Sequence, residues 1–474
     1  MASRISVRNP RTGLADYEVD AFDRDQVEAN AARLRTHQRD WQALGVVERA
    51  SRLIQLADAL GQHIEAIAAA LEADTGRRRI ARMEVEGVMA SIRAWTAQSL
   101  GTESGPWVNG LSNPTLKHRS QLVPYPLVGV ISPWNFPLVL SMIDTIPALL
   151  AGCTVMIKPS EVTPRFVAPL ELAIEDAGLS DVLHLVTGAG ETGQALVDSV
   201  DAICFTGSVA TGRKVAVQAA SRLIPAFLEL GGKDPLIVLA SADIERASDA
   251  ALRGSVLSTG QACQSIERIY VADTIHDAFL KRLVAKAEAV RLNANDVSSG
   301  ELGPIIFDKQ AVILEAHIAD ALQKGAQVMT GGEIETVGGG LWLRPTVITN
   351  VTHDMRVMTE ESFGPILPVM SFDTTDKAIA LANDSEFGLS AAVFAGTLDE
   401  AETLARELET GAVSLNDAAL TALFHEAEKT SFKSSGLGGS RMGRAGFERF
   451  LRRKALIANT AFPLPITAFS EDPS

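Results

Sequence analysis

Four short runs of aliphatic residues, Leu127 to Ile131, Thr154 to Ile157, Leu183 to Val186 and Ala202 to Phe205, alternate with stretches of helical periodicity. Each ends at Gly, Ser or Pro, or within a residue or two of one, before helical sequence resumes. That texture predicts strand-helix units in a parallel sheet, with polar, ligand-binding loops at the carboxyl ends of the strands. A second block of similar texture runs from about Gly232 to Ser431, with strands expected near Pro235 to Leu239 and Ile366 to Phe372. Upstream, from Asp25 to about Ser99, apolar positions such as Leu53, Leu56 and Leu60 recur at three- and four-residue intervals, which predicts amphipathic helices. The texture changes after Asn113-Pro114. Near the other end, Ala455 to Thr460 reads as a lone strand that needs a partner sheet, which points to docking on another subunit. At 474 residues the chain exceeds one ordinary core, so two or three domains are expected.

Charge narrows the function classes. A net charge of -15, from 43 basic and 58 acidic residues, repels nucleic acid and anionic membrane unless a basic stripe overrides it. The densest basic run, Arg77 to Arg79, adjoins helical sequence and reads as a solvated face. Residues 122 to 157 are largely apolar, but five prolines interrupt them, and Asn135 and Asp144 would be costly in lipid; a buried strand and helix is the expectation. Three widely spaced cysteines, Cys153, Cys204 and Cys263, form neither a disulfide framework nor a metal-binding cluster. The opening residues lack the apolar core of a secretory signal, so a reducing cytoplasm is the expected setting, with no metal, nucleic acid or membrane partner.

Three local strings carry chemistry on their own. Gly188-Ala189-Gly190-Glu191-Thr192-Gly193 fits the G-x-G-x-x-G dinucleotide pattern after a strand, but the acidic residue wanted about twenty positions on is replaced by Ala210-Thr211-Gly212-Arg213-Lys214. It therefore reads as an ordinary glycine-rich turn. Phe205-Thr206-Gly207-Ser208-Val209-Ala210-Thr211-Gly212 is a strand-to-helix junction that either offers amides and the Ser208 hydroxyl to a phosphate or uses Ser208 as a plain N-cap. Cys263 sits in the small-residue loop Ser258 to Ser265, and a lone cysteine there is either a small buried hydrophobe or a nucleophile.

Six strings taken together resemble the aldehyde dehydrogenase superfamily: Pro133-Trp134-Asn135-Phe136-Pro137, Lys158-Pro159-Ser160-Glu161, Phe205-Thr206-Gly207-Ser208, Leu228-Glu229-Leu230-Gly231-Gly232-Lys233, Gly260-Gln261-Ala262-Cys263 and Glu361-Ser362-Phe363-Gly364-Pro365. Their order and spacing match over nearly the whole chain. The resemblance implies an α/β fold with a Rossmann-like NAD-binding domain (residues 1–111 and 128–231) and an α/β catalytic domain (232–432). It also implies a small β oligomerisation element with a C-terminal tail (112–127 and 433–474), giving a homodimer or homotetramer. It implies oxidation of an aldehyde to a carboxylic acid with NAD: Cys263 attacks the carbonyl, Asn135 and the cysteine's own N–H hold the oxyanion, and Glu229 activates water against the thioester.

By the same resemblance Ile131 and Trp134 line the cofactor site, and Lys158 and Glu161 hold the adenine ribose. Gly207 and Ser208 face the pyrophosphate, Glu361 binds the nicotinamide ribose and Phe363 packs at the nicotinamide. A carboxylate at Glu161 would repel a 2′-phosphate, which favours NAD over NADP. Phe136, Val139, Leu140 and Ile143 follow Asn135 at helical spacing and, with Gln264, would line a substrate tunnel. No Arg or Lys lies on that face, so aromatic or medium-to-long aliphatic aldehydes are expected as substrates.

Two departures stand out. Relatives usually read Lys-x-Ser-Gly-x-Gly-Arg-Glu near the C-terminus, whereas here Lys433-Ser434-Ser435-Gly436-Leu437-Gly438-Gly439-Ser440 leaves Ser440 where some relatives have a proton-relay acid. Asp144 stands where many relatives have lysine. The competing readings are a CoA-acylating dehydrogenase, against which Glu229 argues, a semialdehyde-specific dehydrogenase, and a silent ligand-binding relative, against which intact Cys263, Glu229 and Asn135 argue.

Overall fold

The computed structural model describes residues 4–98, 100–101 and 105–471. Two twisted sheets organise the chain. The first has six strands in the order Gly436–Leu437, Ala226–Glu229, Ala202–Thr206, Leu127–Ile131, Thr154–Lys158 and Leu183–Leu185. All of its pairings are parallel except the one between Gly436–Leu437 and Ala226–Glu229. The four aliphatic runs are thus four neighbouring strands of one sheet.

Their side chains alternate between two cores, as the pleat requires. Val128, Val130, Val155, Ile157 and Cys204 point into a core shared with the helices Gly45–Gln62, Ile64–Thr75, Arg78–Thr96 and Pro137–Ala151. Leu127, Met156, Ile203 and Phe205 point the opposite way, against the helices Arg24–Ala43, Gly190–Ser199 and Val209–Ser221. The amphipathic segment expected from Asp25 is therefore four helices, and they cover both faces of this sheet.

The second sheet has seven strands in the order Gln327–Thr330, Thr346–Thr349, Ile366–Phe372, Ile266–Ala272, Asp234–Val238, Ala391–Phe394 and Val413–Leu415. Only the Gln327–Thr330 pairing is antiparallel. Adjacent residues again divide between two cores, Ile237 and Tyr270 in one and Leu236, Val238, Ile269 and Val271 in the other. The first sheet's last parallel strand ends at Glu229 and this sheet's earliest begins at Asp234, so only four residues separate the halves.

A third sheet joins Leu451–Asn459 to Leu116–Pro124 along nine antiparallel pairs, with Val108–Asn109 on the far edge. The terminal strand thus has an intrachain partner, which the sequence reading did not supply. Residues 433–474 are also not all tail: Gly436–Leu437 closes the first sheet and Phe432–Lys433 pairs with Phe387–Gly388. An N-terminal hairpin, Arg4–Arg8 with Ala15–Asp20, was not expected; its alternation, Ile5 and Val7 against Tyr17 and Val19, is only two apolar residues per strand.

Candidate active site

In the six-stranded sheet the chain leaves the central pair Leu127–Ile131 and Ala202–Thr206 in opposite directions, which makes their carboxyl ends a topological switch point. Such a point opens a crevice for a ligand. A cleft of about 680 Å³ lies there. Every catalytic and cofactor residue expected from the sequence lines it: Ile131, Trp134, Asn135, Lys158, Glu161, Gly207, Ser208, Glu229, Cys263, Glu361 and Phe363, together with Leu140 from the expected tunnel. Phe136, Val139, Ile143 and Gln264 lie outside that lining, each half-buried.

The nucleophile candidate hangs on a strained turn. Helix Ile244–Val256 ends just before Ser258, Thr259 and Gly260, whose φ values of 58°, 63° and 64° are all left-handed. Such conformations cost non-glycine residues energy and persist only where surrounding contacts enforce them. Here Thr259 Oγ1 donates to the Gly303 carbonyl at 3.0 Å, and buried Gln261 spans Ser258 O, Pro304 O and the Ile306 N–H. Gly260 packs so closely that a Cβ would lie 2.4 Å from the Gly364 carbonyl. Cys263 itself is partly exposed to the cleft. Burial pushes its thiol up to about 12; Glu229 adds to that, while Lys429 and Arg441 pull the other way.

Glu229 ends its strand with the carboxylate facing the cleft. Its Oε2 accepts from Lys429 Nζ at 3.2 Å and Ser431 Oγ at 3.1 Å. Asn135 is buried, and its Nδ2 donates to the Gln261 carbonyl at 2.9 Å, which uses one of the two amide hydrogens. The two glycines after Glu229 are required by space: a Cβ at Gly231 would fall 2.5 Å from the Glu361 carboxylate, and one at Gly232 would fall 2.7 Å from the Cys263 carbonyl.

Arg77 corrects the expectation of a solvated basic face. Its neighbours Arg78 and Arg79 are outward, but Arg77 is 3% exposed, its guanidinium lies over the Phe136 ring, and it donates to the carbonyls of Asn135 (2.5 Å) and Ser258 (3.4 Å). Burial lowers it to about 10, against the pull of Glu84. Glu84 does the work of a missing N-cap. Helix Pro137–Ala151 has no side-chain cap of its own, and the Leu138 and Val139 amides donate to Glu84 Oε2 at 3.1 and 3.2 Å. Burial raises Glu84 to about 7 despite Arg77 and those amides. A helix start satisfied in this way fixes where Asn135 sits.

The residues expected to hold the cofactor form one wall of the cleft. Lys158 Nζ donates to Glu161 Oε2 at 2.8 Å, and this ammonium outweighs burial to hold the Glu161 carboxyl below its usual range. Ser208 serves both open readings: it lines the cleft and accepts from Thr211 N as the N-cap of helix Val209–Ser221. The opposite wall rests on a buried network. Lys233 Nζ reaches Glu267 (2.6 Å) and Ser362 Oγ (3.0 Å), and Glu267 accepts the Ser362 and Phe363 amides, which holds Phe363 at φ 51° with its ring edge-on to Trp134. Glu361 accepts from Gly232 N at 3.0 Å, and burial, reinforced by Glu267, raises it to about 8.

The Gly188 turn also needs correcting. Ala189, Gly190 and Gly193 line the cleft, so this turn borders the candidate site, and Glu161 lines the same cleft from the loop after the neighbouring strand. With side-chain-free walls at Gly190, Gly193 and Gly207, a helix N-terminus at Ser208 and carboxylates at both ends, the cleft fits a dinucleotide. Lys214, Phe307, Gln310 and Ile313 are also among the lining residues. No sequence signal marked them.

The two departures from the family pattern meet in space. Asp144, 2% exposed, is ion-paired to Arg441 at 2.6 Å and also to Arg449, and Arg441 donates to Thr206 Oγ1 at 2.8 Å. Burial would raise the Asp144 carboxyl, but the two guanidiniums outweigh it and hold it low. Ser440 is a latch: its Oγ accepts from Lys429 N and Met442 N and donates to Met442 O.

A parallel-sheet nucleotide cleft with a cysteine and a carboxylate on its inner wall defines a class of cofactor-dependent oxidoreductase. Comparison makes the class specific. The model of the aldehyde dehydrogenase family matches residues 1–456, and the chain belongs to that family. It is 53% identical to "Putative Aldehyde Dehydrogenase PutA" from Anabaena variabilis, with a TM-score of 0.95 and 98% and 99% of the two chains covered. Betaine aldehyde dehydrogenase from Staphylococcus aureus, solved in complex with NAD+, is 31% identical with a TM-score of 0.92 over 99% and 96% of the chains. A protein of Mycolicibacterium smegmatis named as a putative NADP+-dependent succinate-semialdehyde dehydrogenase is 35% identical over 93% of this chain and 86% of its own length. Among the described residues there is no metal-binding cluster, and no helix is long and apolar enough to cross a membrane.

Proposed function

We propose that this aldehyde dehydrogenase oxidises an apolar aldehyde to its carboxylic acid with NAD, using Cys263 as nucleophile, Asn135 as oxyanion donor and Glu229 as general base. The supporting observation is that all three line one cleft with every residue expected to hold the cofactor. The Cys263 sulfur bonds to the aldehyde carbon, and the oxygen, now negative, is met by the Asn135 amide and the cysteine N–H. Trp134, Glu361 and Phe363 would hold the nicotinamide ring of NAD in the cleft, where it would supply the hydride acceptor for this carbon. Water then adds to the resulting thioester, Glu229 takes its proton, the C–S bond breaks, and acid and thiolate separate. Glu161, ionised beside Lys158, favours NAD by opposing a 2′-phosphate.

For the substrate, Phe136, Val139, Leu140 and Ile143 form a half-buried apolar stripe leading from Asn135. A second reading, a semialdehyde substrate, is favoured by buried Lys429 beside Glu229, a cation delivered by a distant loop that could meet a second carboxylate. Competition between hexanal, benzaldehyde and succinic semialdehyde, followed by NADH formation, separates the two. Each buried methylene adds about 0.8 kcal/mol on the apolar reading, and the semialdehyde winning would overturn it. The exposed strand Leu451–Asn459, with Ile457 outward, supports assembly as a homodimer or homotetramer. Sedimentation at micromolar concentration tests that; a monomer refutes it.

A further inference from the structure

Lys429 enters the site from far away in sequence. The segment between strands Val413–Leu415 and Gly436–Leu437 brings Lys429, its side chain 3% exposed, against the cleft-lining Glu229. Its ammonium lies 3.2 Å from Glu229 Oε2. An ammonium withdrawn from water needs a charged partner to repay the lost hydration, and Glu229 is the carboxylate it touches. The groups facing this point are few. Cys263 feels Glu229, Lys429, Asp234 and Arg441. Of the two cations, Arg441 is already paired with Asp144, whereas Lys429 has no carboxylate other than Glu229 within ion-pair distance among the described residues.

The backbone that delivers the lysine is secured. Lys429 N donates to Ser440 Oγ at 3.1 Å, the Gly443 amide donates to the His425 carbonyl at 3.0 Å, and the Ala445 amide donates to Glu428 Oε1 at 2.8 Å. Ser440, which stands where an acid is common in relatives, is thus occupied with placing a cation.

We propose that Lys429 is a positioning residue for thioester hydrolysis: with Ser431 it orients the Glu229 carboxylate, while Ser440 latches the turn that carries it. The inference rests on the reading of Glu229 as the base. When water attacks the thioester, one proton passes to Glu229, and the breaking C–S bond leaves negative charge on sulfur. The ammonium, 3.2 Å from Glu229, holds that carboxylate in one orientation, and its charge also favours an ionised sulfur. Hydride loss from the preceding adduct needs no base, so that step is spared.

The test uses full-length Lys429→Met and Lys429→Arg enzymes with NAD, read by the NADH burst and by the rate of Cys263 alkylation with iodoacetamide between pH 7 and 9. For Lys429→Met, the burst amplitude persists and the steady state falls about tenfold or more, the scale of a lost electrostatic contact at a site. Cys263 alkylation at pH 8 slows at least about threefold because the thiol is harder to ionise. Lys429→Arg keeps the charge and restores the alkylation rate. Ser440→Ala, a milder change, moves both readouts in the direction of Lys429→Met. A wild-type alkylation profile and burst-to-steady-state ratio in Lys429→Met overturn the proposal, whatever happens to the melting temperature. Glu229→Gln keeps the readings apart: an unchanged steady state there removes Glu229 as the base, while slowed alkylation in Lys429→Met would still place the cation beside sulfur.

Discussion

The buried triad of Asp144, Arg441 and Arg449 centres on an acid that stands where many relatives have lysine, and its internal coupling can be tested by reversing the charges. In the native protein the triad carries a net charge of one positive unit, with side chains 2%, 6% and 5% exposed. Asp144→Lys packs three cations together, and Arg441→Glu packs two acids against one guanidinium. Leaving a buried ion without its partner costs about 3–5 kcal/mol. If the sheet that holds Thr206 unfolds with its helices as a unit of roughly 200 residues, each kcal/mol lowers Tm by about 2–4 °C, so either single variant should melt about 6–20 °C lower. The double variant Asp144→Lys/Arg441→Glu restores one net positive charge and the opposite-charge pair between positions 144 and 441, although lysine then faces Arg449. It should recover at least about 3 kcal/mol relative to the sum of the singles. Differential scanning fluorimetry and urea unfolding of all four proteins give the coupling. Because the ions are buried, 0.5 M salt should change it little. Additive losses, or a coupling that vanishes in salt, would refute the idea that Asp144 and Arg441 act as one coupled buried pair.

Three further outcomes are expected. Cys263→Ala should abolish turnover to below about a hundredth of wild type while NAD still binds, since a covalent nucleophile contributes several kcal/mol; calorimetric NAD titration beside an NADH assay checks both halves. NAD should exceed NADP by about tenfold or more in kcat/KM, a demand of only about 1.4 kcal/mol on Glu161, and equal efficiencies would show that Glu161 swings aside. Glu361, raised to about 8, passes from acid to carboxylate between pH 7 and 9. If the ionised form accepts ribose hydroxyls, NAD affinity should rise across that window, and Glu361→Gln should flatten the rise; a parallel pH dependence in the variant would assign it elsewhere.

What could be read from sequence depended on how local the signal was. Leu127 to Ile131 announced itself as a strand because its aliphatic run and flanking residues are contiguous, and the structure places the strand at those same residues. Glu229 and Cys263 could be named because each sits in a short string of fixed spacing, and the crowding at Gly231 and Gly232 shows why that spacing tolerates no side chain. Arg77 and Lys429 could not. Arg77 meets the Asn135 carbonyl across 58 residues of sequence, and Lys429 meets Glu229 across 200. A charged residue looks solvated until the fold surrounds it. The Gly188 turn was missed for a different reason: the carboxylate that shares its cleft, Glu161, follows an adjacent strand, Thr154–Lys158, where a linear template does not look.

Asn135 belongs to the half of the molecule built on the six-stranded sheet, and Gln261 and Ser258 to the half built on the seven-stranded one. They are tied by the Asn135 side chain and by the forked Arg77 guanidinium. The distance between the attacking sulfur and its oxyanion donor is therefore a gauge of how the two halves are seated. A shear of one ångström at this seam breaks no core and exposes little apolar surface, yet it moves the thiol out of register with the amide, and misplacement on that scale can cost about a hundredfold in rate. On warming, dehydrogenase activity should fade several degrees before tryptophan fluorescence reports unfolding, and bound NAD, which touches both halves, should narrow that gap.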